Sequence, residues 1–221
     1  MSLDGGATFQ RPFGPLPFFA ATKSAQVMLG ADPLTTATRP PEPLCVGGAA
    51  IGGGSVVVRA RGGGTLVVRG LMPKLPTVPP MPQFFSDGVQ LRIVDRSSGA
   101  AILDLTATNA IPGFVAGCGG GGQWRRQPEG AWVYRNVSNA LPPACKAGSA
   151  QGLRKLTLQF LRGGRVRFEG IVQHPVADAP SDVGVTLVFG TSPVVGATGR
   201  CATFAAPCVR HRAATRCAGP R

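Results

Sequence analysis

The chain has 221 residues, 32 of them glycine and 21 proline, so about a quarter is turn-forming, roughly twice the ordinary share. That content excludes a helix bundle or coiled coil, because Gly and Pro are the two poorest helix formers, and the absence of a G-X-Y period excludes collagen. A hydrophobic fraction of 43% excludes ordinary disorder, and the formal net charge of +13 raises polyanion binding as a function class to test.

Residues 1–44 are expected to form a Pro-rich arm or linker, with Pro12, Pro15, Pro17, Pro33, Pro40, Pro41 and Pro43 and no sustained period. From Cys45 the pattern changes. Val56 and Val58 alternate with Val57 and Arg59, and Leu66 and Val68 alternate with Val67 and Arg69. Gly62 to Gly64 lie between, so this is a β-hairpin with one apolar and one basic face. A Pro-rich spacer over 73–82 cannot be a central strand. Val89, Leu91 and Ile93 mark the next strand, Asp95 to Gly99 a turn, and Ala101 to Thr106 the return strand.

The segment 107–152 reads as an insert. It contains Gly119 to Gly122 and a short hairpin that carries Trp124, Arg125 and Arg126, then Trp132, Tyr134 and Arg135. Beyond it the earlier plan returns. Leu156, Leu158, Val166 and Phe168 repeat Val56, Val58, Leu66 and Val68 at a shift of 100, and Gly163, Gly164 and Gly170 repeat Gly63, Gly64 and Gly70. Gly184 to Phe189 then repeats Gly88 to Ile93 at a shift of 96, and Arg200 to Phe204 closes the second unit. Three elements in one order predict a duplicated unit. The fold class expected is all-β: an antiparallel β-sandwich of about eight to ten strands. Its domain runs over 45–217, with halves 45–106 and 153–206, and 218–221 is a tail.

Six cysteines stand at Cys45, Cys118, Cys145, Cys201, Cys208 and Cys217. An even number in a loop-rich chain predicts structural disulfides and an oxidising compartment. Many connectivities are open; proximity in sequence points to Cys118–Cys145, Cys201–Cys208 and Cys45–Cys217. Cys201, Cys208, His211 and Cys217 also contain enough ligands for a metal, but their spacing matches no familiar metal pattern. The stretch from Leu105 to Trp124 is free of charge, yet Pro112 and its glycines make it a poor membrane span. The segment from Pro12 to Ala21 is too short and proline-broken for a signal peptide, so an export signal is expected upstream or already removed, with a cytoplasmic protein of reduced cysteines as the remaining option.

The run Gly130 to Arg135, then Cys145, Gly152 to Leu158, Gly164 to Gly170, Gly184 to Gly190 and Gly199 to Phe204, through Cys208 and Cys217, resembles an uncharacterised family of exported proteins. That family is abundant in myxobacteria and related deltaproteobacteria, and the likeness covers roughly Cys45 to Cys217. The resemblance implies an exported β domain with no catalytic residue. Members are usually lysine-rich where this chain has Arg59, Arg69, Arg165 and Arg167. All but four of its 23 basic residues are arginine, which fits an arginine-rich coding bias.

Enzyme signatures are missing: there is no HExxH, G-x-S-x-G or Walker A motif. His174 with Asp178 and Asp182 is the nearest approach to an acid–base set, and a solvated loop is the better reading. The function expected is a non-catalytic, extracytoplasmic structural or adhesive module without cofactor or metal. The alternative is a binding module for an anionic polymer or glycan. Its candidate surface is Trp124, Arg125, Arg126, Trp132, Tyr134 and Arg135, with the basic tail from Arg210. Expected partners are a cell-surface polymer, a glycan or another protein domain rather than nucleic acid, and no membrane span is expected.

Overall fold

The computed structural model describes residues 45–59, 64–75, 87–106, 109–120, 122–173, 180–191 and 199–219. The expected arm over 1–44, and His174 and Asp178, lie outside them. Twelve strands are seen among the described residues: β1 (Ala49–Ala50), β2 (Gly52–Arg59), β3 (Thr65–Met72), β4 (Val89–Asp95), β5 (Ala101–Leu105), β6 (Gln123–Arg126), β7 (Ala131–Arg135), β8 (Leu153–Phe160), β9 (Val166–Gln173), β10 (Asp182–Phe189), β11 (Cys201–His211) and β12 (Ala214–Ala218).

The strands join in one sheet of order β5-β4-β10-β11-β12-β2-β3-β9-β8-β7-β6, antiparallel along this path, with β1 added in parallel beside β11. The sheet curls into a half-barrel around the core. Hydrogen bonding thus runs unbroken where two separate sheets were expected. The cause is β11, which is eleven residues long. Its first part pairs with β10, from Val188↔Cys201 to Asp182↔Pro207; its last part pairs with β12, from Cys208↔Cys217 to His211↔Ala214.

Alternation decides which side chains enter the core. Val56, Val58, Leu66, Val68, Leu156, Leu158, Val166 and Phe168 are all buried, as their period-two pattern requires. Leu91, Ile93, Leu103, Val185 and Leu187 complete the core from the other limb. The recurring hairpins lie side by side. β3 pairs with β9 about Arg69↔Glu169, and β4 pairs with β10 about Leu91↔Leu187. At Gly170 an added Cβ would stand 2.8 Å from Val68 Cγ1, so the glycine makes room for Val68 of the paired strand β3, with Leu91 of β4 in ordinary contact at 3.5 Å.

Loop residues also bind the β5–β4 end of the curled sheet. The Gln151 side chain accepts from Asp104 N at 2.8 Å and donates to Asp104 O at 2.7 Å, sealing the open edge of β5. Val89 and Ile111 exchange backbone hydrogen bonds at 2.8 Å.

All six cysteines are paired: Cys45–Cys201, Cys118–Cys145 and Cys208–Cys217. Sequence proximity identifies only the second correctly. Cys201 and Cys208 lie on one strand and cannot meet, because an extended strand separates its residues by about 3.3 Å each. Cys208 instead faces Cys217 directly across the β11–β12 pair. Among the described residues no helix is long and apolar enough to cross a membrane.

Candidate functional site

The β6–β7 hairpin carries all six residues of the expected binding surface, and the structure divides them. Trp124 stands opposite Tyr134 and Arg126 opposite Trp132; Arg125 stands opposite Val133 and Arg135 opposite Gln123. Paired residues share a face, so Trp124, Tyr134 and Trp132 turn toward the core side and Arg125 and Arg135 turn away. Trp124 and Tyr134 are buried with ring centroids 5.4 Å apart. Trp124 Nε1 donates to Pro112 O at 2.9 Å. Trp132 is half-buried and meets Phe114 edge-on at 5.4 Å. Arg125, Arg126 and Arg135 are exposed. Trp124 and Tyr134 are therefore packing groups; exposed Arg126 shares the face of half-buried Trp132, while Arg125 and Arg135 lie on the opposite face. Burial pushes the Tyr134 phenol up to about 12.

The other chemical candidates are accounted for in the same way. Cys201, Cys208 and Cys217 are bound in disulfides and offer no thiolate to a metal. Asp182 opens β10, and its Oδ2 accepts from Arg96 NH1 at 3.1 Å.

The charges themselves are sorted by face. On the limb of β4, β5 and β10, arginines are matched to carboxylates: Arg92 with Asp104 at 3.6 Å, Arg96 with Asp182 at 3.1 Å, and Arg200 with Asp87 at 3.5 Å. Asp95 is held below the usual carboxylate range by the hydroxyl and backbone N–H of Ser97. The limb from β12 to β6 differs. Its outer face presents Arg216, Arg59, Arg69, Arg167, Lys155, Arg135 and Arg125, and among the described residues Glu169 is the sole carboxylate on those strands. Arg135 even stands directly opposite Lys155, a like-charge cross-strand pair that costs stability in isolation.

At the centre of this face lies a depression of about 660 Å³, lined by Arg69, Arg167, Lys155 and Glu169 with Thr157 and Gln159. Gly52 and Gly53 form part of one flank, and no side chain fills the space above Gly53. A bulge falls between Gly52 and Ser55 in the β2–β3 pairing, and Gly53 adopts φ +56°, a left-handed conformation that glycine takes without strain. Glu169 Oε2 accepts from Arg69 Nε at 2.7 Å, and Oε1 lies 3.7 Å from Lys155 Nζ. The Arg69 side chain is 63% exposed, so this pair is worth at most about 1 kcal/mol and leaves the other guanidinium donors open. Among the described residues Arg167 meets the Gln159 amide oxygen alone, at 3.5 Å. Such a site can bind anions.

Sequence reasoning placed the candidate surface on the aromatic hairpin and missed this one. The signal was present in the basic face of the first hairpin, at Arg59 and Arg69. Alternation alone does not say that β9 and β8 continue that face.

The fold and site define the class: an all-β, disulfide-stapled domain with one basic sheet face. No family model, curated protein or solved structure matches the chain.

Proposed function

We propose that this is a non-catalytic structural or adhesive module working outside the cytoplasm, of the exported type its sequence resembles. The observation carrying the proposal is the pairing of all six cysteines, since such bridges persist in oxidising compartments. Glu169, held between two cations, is suited to charge compensation rather than proton transfer. The test is thiol titration of denatured, unreduced protein from its native source, with cell fractionation. No free thiol and an extracytoplasmic location are expected; six free thiols in a cytoplasmic fraction would overturn the reading.

The module is also read as two related halves packed in the manner of a sandwich. Support comes from register: two of the repeated strands pair with their own counterparts, β3 with β9 at Arg69↔Glu169 and β4 with β10 at Leu91↔Leu187. These are the residues related by shifts of 100 and 96 in sequence, as a local twofold axis would require.

A second reading, binding of an anionic polymer or glycan, is favoured by the charge division. Three arginines are matched on one limb, and seven cations face one carboxylate on the other. Strands that place Arg135 against Lys155 gain from an external anion.

A further inference from the structure

We propose that the depression between β3, β9 and β8 is a binding site for a carboxylated polysaccharide, a chain of uronate-type sugars. The proposal rests on the second reading above and gives it a place and a ligand. Arg69 and Arg167 are diagonal neighbours across the β3–β9 pair, since Arg69 faces Glu169 and Arg167 lies two residues before it. Such neighbours lie about 7–8 Å apart between Cα atoms, so two planar guanidinium groups border one hollow. Guanidinium forks take carboxylates with two parallel hydrogen bonds. Glu169 is a carboxylate already seated in this field, and it occupies the Arg69 Nε and Lys155 side. The Arg167 side has no carboxylate among the described residues.

The remaining lining suits a sugar. Gln159 supplies an amide that can exchange hydrogen bonds with hydroxyls. Leu71 offers an aliphatic wall. Nucleic acid fits less well, because single strands are held largely by bases stacked on aromatic side chains. Trp124 and Tyr134 are turned into the core, away from this face.

The experiment measures binding of the full chain to polygalacturonate, to its methyl-esterified form and to single-stranded poly(dT), across a salt series. Polygalacturonate should bind in a salt-sensitive way, with the ester and poly(dT) weaker. The double substitution Arg69→Ser with Arg167→Ser should weaken polygalacturonate binding by about tenfold or more, as expected for lost charge-assisted hydrogen bonds. Glu169→Gln should tighten it by about threefold, since it removes the one repulsive charge. Arg210→Ser with Arg212→Ser, at the β11–β12 turn, should change it less than about twofold. If wild-type protein binds none of the three polymers, the polymer-binding reading itself fails. If it binds polygalacturonate and the Arg69/Arg167 variant binds equally well, the reading stands and this site is wrong. Tighter binding of poly(dT) than of polygalacturonate would overturn the choice of ligand. Glu169→Gln that weakens binding would show that Glu169 only holds the arginines in place, contrary to the proposal.

Discussion

Tyr134 is the sole tyrosine of the chain and among its most deeply buried side chains, which makes it a clean reporter of the core. Its phenol ionises near 10 when unfolded and about 12 when folded. The folded state therefore holds the proton more tightly. Stability from this group is complete below pH 10 and is lost as pH rises from about 10 to about 12, for a total of about 2–3 kcal/mol. A phenolate absorbance titration should show no ionisation below the unfolding transition; ionisation near pH 10 in still-folded protein would contradict the burial. Gly170 tests the packing across β3 and β9. Gly170→Ala drives a Cβ against Val68, and a cost of about 1–3 kcal/mol is expected in denaturant melts.

Among the elements, the edge of β5 depends on one side chain. Gln151 mimics a neighbouring strand by both accepting from and donating to Asp104. Gln151→Ala should cost about 1–3 kcal/mol and speed hydrogen exchange at the Asp104 amide, while amides in β3 and β9 stay protected. The element scale is also where sequence reasoning succeeded and stopped. Hairpins such as β2–β3 and β8–β9 were legible because each strand is half-buried and alternates cleanly. The strand β11 was read only as far as Phe204, and β12 as a basic tail, because Pro207 and the arginines argue against a strand. The structure removes the conflict. Cys208 N donates to Ser181 O on the β10 side. Successive N–H groups alternate in direction, so Pro207 lacks its N–H on the other side, just where β12 has not yet begun to pair. The candidate site was hidden for a related reason: its residues come from three strands whose order in the sheet is not written in their alternation.

At the scale of the whole molecule, the three bridges close loops of very different length, with sequence separations of 156, 27 and 9. Loop-closure entropy then ranks them at about 5, 3.5 and 2.5 kcal/mol. Replacing each pair by serine should lower stability in that order; a larger loss for Cys208–Cys217 than for Cys45–Cys201 would show that strain or packing, not chain entropy, dominates. The charge division also belongs to this scale. An arginine-rich coding bias would account for the cations being arginine, but not for carboxylates matching those of one limb one to one while Glu169 alone answers those on the strands of the other.

Two of the bridges share β11, at Cys201 and Cys208, and this has a mechanical consequence. Tension applied through the segments before Cys45 and after Cys217 passes from Cys45 to Cys201, along a short stretch of β11, and out from Cys208 to Cys217. The sheet between Cys45 and Cys201 is bypassed and bears no load. Pulled by its flanking segments, the bridged domain should lengthen by no more than about 25 Å, the span of that stretch. After reduction it should unravel by several hundred Å, a difference that single-molecule force spectroscopy reads directly. With its bridges intact, the domain is expected to behave as an inextensible link whose broad basic face stays folded under load.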